Sequence, residues 1–459
     1  MAKFKKFMAG VLAVSLIGCG LTACGGKKTA NGDGVTVFEV WTNDSHSKAT
    51  MEKLVDAYNK GEGKEKGIRI DYKIQQAQGA FDMAIESGDA PDFHTDNIKT
   101  ASELDRIVPI ESLPGGEEFL KQYDGYLTEE KHTWKGKTYT VPFYVTTFGM
   151  VYNKDMFKKY GLVDEKGEAT PPKTYDELRE YAKVLTNPKN QEYGIILPLK
   201  NEWFVDSDIR FATMANQGYM DFNPETGETD FMGYEPIVNM YMGIKADKTY
   251  YPDPEGIDND TARAQFAEGN IGMKFAGSYD VGVYSDQFPA KCDWGVAPFP
   301  VADADVRYKA RMAMDGYLCI NKDATKDKDP EKVMAAYKFL VGADILRELY
   351  KDGKAIPYNW DIVKDIDLGD SAPTGWREFC ELVQSSQPSW NEPGAVMTGQ
   401  KFMKEVFLED IWTGKVETKA ALKDLTERTA KGRADWLAEN SGTYKIEDYI
   451  VKDALKPVN

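Results

Sequence analysis

Residues able to run a reaction are sparse in this chain of 459 residues, and their spacing assembles no reactive constellation. The histidines His46, His94 and His132 lie far apart. Nothing around them supports a Ser-His-Asp arrangement, whose three groups must meet within hydrogen-bond reach. The sequences G-x-S-x-G, H-E-x-x-H and the phosphate loop are absent, and no G-x-G-x-x-G follows a strand. A glycosidase needs only two carboxylates, but 74 acidic residues make that test unselective. Cys292, Cys319 and Cys380 form no C-x-x-C pair, so neither zinc nor a redox dithiol is indicated. They read as buried thiols, with one disulfide left open for an exported chain. Asp221-Phe-Asn223-Pro-Glu225 begins like a calcium loop but lacks its Gly and closing Glu, so it reads as a solvated hairpin. No metal, no cofactor and no catalytic residue is expected.

The elements that would position a site are mixed. Val35-Thr-Val-Phe-Glu-Val-Trp41 is β-rich, Met51, Leu54, Val55 and Tyr58 recur at helical spacing, and Ile68–Ile74 alternates like a strand. That is a β-α-β start, which requires a parallel pair with a crossover helix. Thr174-Tyr-Asp-Glu177 reads as a capping box ahead of Leu178, Tyr181, Ala182 and Leu185. Asp329-Pro330 opens a helix with an apolar face of Val333, Tyr337, Leu340 and Val341, and residues 418–430 read as another amphipathic helix. No repeat and no clean linker interrupts the pattern, which favours lobes assembled from discontinuous segments.

With 42% hydrophobic and 29% charged residues the composition is globular. The length suggests about three domains or one bilobed unit. A net charge of −17 disfavours nucleic acid and anionic membrane as partners, because phosphate contacts need clustered Lys and Arg. Residues 1–23 read as a signal peptide, with Lys3, Lys5 and Lys6 ahead of an apolar run from Phe7 to Ile17. Leu21-Thr-Ala-Cys24 resembles a bacterial lipobox and is preferred to the similar Ile17-Gly18-Cys19. Cys24 is therefore the expected lipidation site, and residues 24–34 the lipidated Cys and its tether. Ten such flexible residues reach about 16–19 Å, and two acyl chains suffice for stable anchoring. Cleavage removes three lysines and no acid, so the mature charge becomes −20.

Scattered but ordered motifs resemble the extracellular solute-binding proteins of sugar ABC transporters, the family that includes maltose-binding protein. Phe38-Glu-Val-Trp41 looks like the family's first strand, and Ala84-Ile-Glu-Ser-Gly88-Asp-Ala-Pro91-Asp92 like its "small-x-x-x-G-x-x-PD" signature. Gly136-Lys-Thr-Tyr-Thr-Val-Pro142-Phe143 and Gly149-Met-Val-Tyr152-Asn153-Lys154 look like its central block. Phe266-Ala-Glu-Gly269-Asn-Ile-Gly-Met273 and Gly277-Ser-Tyr279 resemble its "FxxGxxAM…GxW" element, with Gly272 and Tyr279 in place of the usual Ala and Trp.

The resemblance implies an α/β, two-lobed periplasmic-binding-protein-like (type II) fold, each lobe a β-sheet flanked by helices and joined by hinge strands. It implies crossings near residues 145, 280 and 324, so that lobe 1 is 35–145 and 281–324, and lobe 2 is 146–280 and 325–459. A ligand would lie in the cleft at strand ends, closure would be a hinge motion, and an ABC permease would read the loaded form. The implied protein is a monomer, lipid-anchored on the outer face of the cytoplasmic membrane, and not an enzyme.

A sugar offers hydroxyls, which need donors and acceptors, and a C–H face, which suits an aromatic ring. Aromatics beside acids or amides at strand ends are therefore the candidate ligand-binding residues. They are Trp41, Asn43 and Asp44 after the first strand, Asp96 and Asn97 after the Pro91-Asp92 strand, and Tyr144 at the first crossing. Trp203 lies in a loop with Phe204. Tyr279 and Asp280 hold the family's stacking position, Asp315 and Tyr317 lie near the third crossing, and Trp390 and Glu392 follow in a late loop. The acidic surplus favours a neutral oligosaccharide of more than one ring. An acidic cleft for a polyamine or other cation is the alternative, and an extracellular glycan-active enzyme a more distant one.

Overall fold

The computed structural model describes residues 34–74, 80–129, 131–201 and 203–458. The expected signal peptide and Cys24 lie outside them. The first sheet grows from β1 (Thr36–Thr42), whose alternation turns Phe38 and Val40 fully inward. The helix Lys48–Lys60 follows and buries Met51, Val55 and Tyr58. β2 (Ile68–Ile74) then pairs parallel to β1, from Thr36 opposite Ile68 to Thr42 opposite Ile74. β3 (Phe93–His94) joins the other side of β1 in parallel. A two-stranded hairpin, β4 (Thr133–Trp134) and β5 (Lys137–Thr138), stands apart.

The second sheet is built around β6 (Tyr144–Asn153). Its neighbours include β8 (Ile271–Gly277) and β9 (Trp294–Ala297), both antiparallel. β7 (Tyr193–Ile195) extends it in parallel beyond β8. A Cβ on Gly149 of β6 would lie 2.6 Å from the Ala297 carbonyl oxygen, so this strand approach needs glycine. β10 (Ala310–Ala313) pairs Met312 with Thr147 and Ala313 with Thr146. The chain then returns to the first sheet, where β11 (Cys319–Ile320) pairs antiparallel with β3. β12 (Ile356–Pro357) pairs with the first residues of β6, and β13 (Ser386–Gln387) with β10.

The helices cover these sheets as their apolar stripes require. Tyr175–Leu185 carries the expected capping box, with Thr174 and Glu177 each closing the other's backbone N–H. Pro330–Leu340 is capped by Asp329 and, with Ala343–Lys351, packs Val333, Tyr337, Leu340 and Leu349 on the core that holds Phe38 and Val40. The fold is thus two sheets with flanking helices, each drawn from separated segments.

Two of the expected crossings need correction. Residues 281–313, expected in lobe 1, pack with the second sheet: Val281, Tyr284 and Trp294 join the core of Val151, and both β9 and β10 pair with β6. Residues 330–349, expected in lobe 2, cover the first sheet. The apolar face of that helix is plain in the sequence, but periodicity says nothing about which sheet it covers.

Candidate functional site

The carboxyl ends of the parallel strands β1 and β3 converge with the start of β6 and the link from β10 to β11. They enclose a cavity of about 290 Å³. β1 delivers Asn43 and Asp44, the turn after β3 delivers Thr95, and β6 delivers Tyr144 and Thr146. Asp315, Gly316 and Tyr317 close it from the link. Five expected site residues therefore meet here: Asn43, Asp44, Tyr144, Asp315 and Tyr317.

Their polar atoms face one another across long sequence gaps. The Tyr144 hydroxyl donates to the Asp44 carboxylate at 2.8 Å. Burial, reinforced by the Asp44 charge, pushes the Tyr144 phenol well above its ordinary pKa, so it stays a neutral donor. Tyr317 stacks on Phe143 at 4.4 Å and 12°, and its hydroxyl meets that of Tyr72 at 3.3 Å. Lys131 donates to Asp315 at 2.8 Å. Burial works to raise the Asp315 pKa, but the Lys131 charge and hydrogen bond outweigh it, helped by Arg311, and the net direction is down. The cavity thus presents carboxylate and amide acceptors, hydroxyl donors and aromatic walls.

Two residues that the sequence reading did not select complete the surroundings. Arg311 lies two positions before the lining residue Ala313, hence on the same side of β10. Its Nε donates to Ser389 at 2.9 Å, and its guanidinium lies 4.3 Å over the Phe211 ring. Burial pulls its pKa down, with the Asp315 charge opposing. His46, just beyond Asp44, places its ring 6.1 Å edge-on from Tyr144 and 6.4 Å from Tyr279. No motif marks either residue. The alternation Arg311-Ala313-Asp315 is the one signal that could have found Arg311.

The other expected residues fall elsewhere. Trp41 points to the face of β1 opposite Phe38 and Val40, where its indole donates to Glu39 at 2.7 Å. Asp96 accepts from the Asn97 backbone at 2.7 Å, and burial raises its pKa. Asn97 caps the helix Ile98–Glu103 by accepting from Thr100 N at 3.0 Å. Trp203 stands 65% exposed, whereas Phe204 beside it is the buried anchor. Trp390 ties its loop to the Gly218 carbonyl at 2.8 Å.

Tyr279 and Asp280 also need correction. Tyr279 is half-buried against the second core, with the Arg263 guanidinium 5.4 Å from its ring, and it is not part of the cavity wall. Asp280 is buried and fully engaged. It accepts from Arg263 Nε at 2.6 Å and from Gly277 N at 3.2 Å, and lies 3.9 Å from Lys274 Nζ. Glu392 is likewise a counter-ion, receiving Arg433 at 2.5 Å, and Arg433 also binds the buried Asp221 at 2.9 Å. Asp280, buried and bonded through both oxygens, has little acceptor capacity left for a ligand, whereas Glu392 is oriented by Arg433 outside the cavity wall.

The described Cys292, Cys319 and Cys380 are free thiols. Among the described residues no helix is long and apolar enough to cross a membrane.

The family model described as bacterial extracellular solute-binding protein matches residues 43–345. The chain is 28% identical over 371 residues to the maltotriose-binding protein of Pyrococcus abyssi, covering 77% of this chain and 73% of that one. It is 25% identical over 377 residues to a maltooligosaccharide ABC transporter solute-binding lipoprotein of Streptococcus pneumoniae, covering 78% and 82%. Among solved structures, the GacH receptor of Streptomyces glaucescens aligns with a TM-score of 0.66 at 16% identity, over 87% of this chain and 99% of that one. The maltose/maltodextrin-binding domain MalE of Bdellovibrio bacteriovorus, bound to maltotriose, aligns at 0.64 and 17%, over 87% and 100%. At such identities the solved structures speak for the fold alone.

Proposed function

The chain belongs to the bacterial extracellular solute-binding protein family, and we propose that its solute is a neutral oligosaccharide of the maltooligosaccharide class. The observation that carries this reading is the cavity at the strand ends. Asp44 and Asp315 accept there, Tyr144, Tyr317, Thr95 and Thr146 offer hydroxyls, and Phe143 and Tyr317 supply aromatic surface. Such walls match a sugar's hydroxyls, and donors and acceptors that a bound ligand would cover disfavour analogues lacking those hydroxyls. The relatives named for maltotriose and maltooligosaccharides supply the class.

In this reading Asn43, Asp44, Tyr144, Asp315 and Tyr317 hold the solute, with Arg311 offering a planar pair of donors from the second sheet. The exposed Trp203 serves as an outer platform. The protein is an anchored, non-catalytic capture subunit, held by a lipid on Cys24 outside the cell, and it hands its solute to an ABC permease. A cation as solute is disfavoured because Lys131 already neutralises Asp315 and Arg311 stands nearby.

The test is calorimetric titration of the full chain with maltotriose, maltopentaose and spermidine. Binding of the sugars, with about 2.7 kcal/mol of added stability at 100 times the dissociation constant, supports the reading. Spermidine binding that weakens steeply with salt, and no sugar binding, overturns it.

A further inference from the structure

His46 occupies a position that the cavity and its solute do not explain. It sits on the turn Ser45–Ser47 after the first sheet, yet its surroundings come from both sheets. Tyr144 of β6 stands edge-on at 6.1 Å and Tyr279, beyond β8, at 6.4 Å. A Cβ on Gly282 would lie 3.6 Å from the His46 carbonyl oxygen and 3.0 Å from Lys354 Nζ. Lys354 follows the helix Ala343–Lys351 on the first core and forms an ion pair with Asp286, on the segment whose Tyr284 joins the core of Val151. His46 therefore lies in the seam where the two halves meet.

We propose that His46 makes closure of the two lobes, and with it retention of the solute, sensitive to pH, with acidification favouring the open form. The inference rests on the hinge-closing solute-binding reading above.

The charged groups facing the imidazole are Asp44 on its own turn, Lys354 just before β12, Arg263 from the helix Asn259–Ala267, and Asp280 after β8. Both acids are engaged, Asp44 by the Tyr144 hydroxyl and Asp280 by Arg263 and Gly277 N. Burial in the seam is the largest influence and lowers the His46 pKa. Asp44 opposes it, Lys354 and Arg263 add to it, and Asp280 opposes. Separating the lobes exposes the ring to water and returns it toward its ordinary value of about 6.5.

The closed form thus binds fewer protons than the open form. Closure releases a proton wherever the pH lies below the open-state pKa and above the closed-state one. In that window acidification shifts the equilibrium toward opening by up to about tenfold per pH unit. Above it the coupling vanishes.

The experiment reads the interlobe distance of the full chain by small-angle scattering between pH 7.5 and 5.0, with and without maltotriose, for wild type and His46→Gln. Maltotriose affinity is titrated over the same range, and far-UV circular dichroism confirms that both remain folded. The expected result is wild-type opening and an affinity loss of about tenfold on acidification, both absent in His46→Gln. A wild type that does not respond, or a variant that responds equally, overturns the inference. If maltotriose fails to bind at pH 7.5, the sugar reading falls, and the interlobe distance without sugar still decides the role of His46.

Discussion

Asp44 and Asp280 each follow a strand beside an aromatic residue, and the molecule uses them in opposite ways. Asp44 sits at the open end of the first sheet, takes one hydrogen bond from Tyr144, and lines the cavity. Asp280 sits beyond the second sheet's β8, 1% exposed, and is bound by Arg263, Gly277 N and the nearby Lys274. The difference lies in how many partners the surrounding fold supplies. A carboxylate with spare lone pairs at a cavity can recognise a solute, whereas one saturated by buried cations holds the fold together.

The sharpest way to break this contrast is Asp280→Ala. It strips buried Lys274 of its nearest carboxylate and leaves Arg263 with Asp260 alone, at 2.9 Å, which should cost about 3–5 kcal/mol of stability in urea unfolding. A loss below about 1 kcal/mol would place Asp280 with the ordinary surface substitutions. Asp44→Ala should do the reverse. Its maltotriose affinity should fall by about 1.5–3 kcal/mol, the worth of a hydrogen bond to a charged group, while its stability stays within about 1 kcal/mol of wild type. A stability loss as large as that of Asp280→Ala would erase the distinction.

Asp208 sharpens the picture of the closed side. It is buried beside this cluster and receives the Ser207 hydroxyl at 2.6 Å. Burial pushes its pKa up to about 7, with the Lys274 charge opposing. A raised carboxylate pKa means that the native state holds a proton the unfolded state has lost. The contribution of Asp208 to stability therefore declines as pH rises from about 4 to about 7, by at most about 1.4 kcal/mol per pH unit. Asp208→Asn should remove that slope in denaturant titrations across the window, and an unchanged slope would show that Asp208 titrates normally.

The smallest effect belongs to Trp203, 65% exposed. Trp203→Ala should leave stability within about 0.5 kcal/mol and weaken maltotriose binding about two- to tenfold, in line with the modest worth of an aromatic contact. Unchanged affinity would remove Trp203 from the solute path.

Much of the fold was legible in the sequence because it depends on local periodicity. The β-rich run Val35–Trp41 became β1, the spacing of Met51, Val55 and Tyr58 became the buried stripe of a helix, and Thr174 with Glu177 formed their capping box. The site was legible in part. Asn43, Asp44, Tyr144, Asp315 and Tyr317 were expected near strand ends, which can be read, and they line one cavity. Tyr279, Asp280 and Glu392 share the same residue types and similar positions, yet the fold places Arg263, Lys274 and Arg433 against them.

By itself, then, the sequence determined much of which segments become strands and helices, and the family those ordered motifs resemble. The tertiary structure alone decided which sheet the helix Pro330–Leu340 covers, and which carboxylates keep a free side. The reason is physical: a carboxylate's remaining valence is set by partners brought to it from far along the chain. Tyr144 reaches Asp44 across 100 residues and Lys131 reaches Asp315 across 184. Nothing local to either acid announces who will meet it.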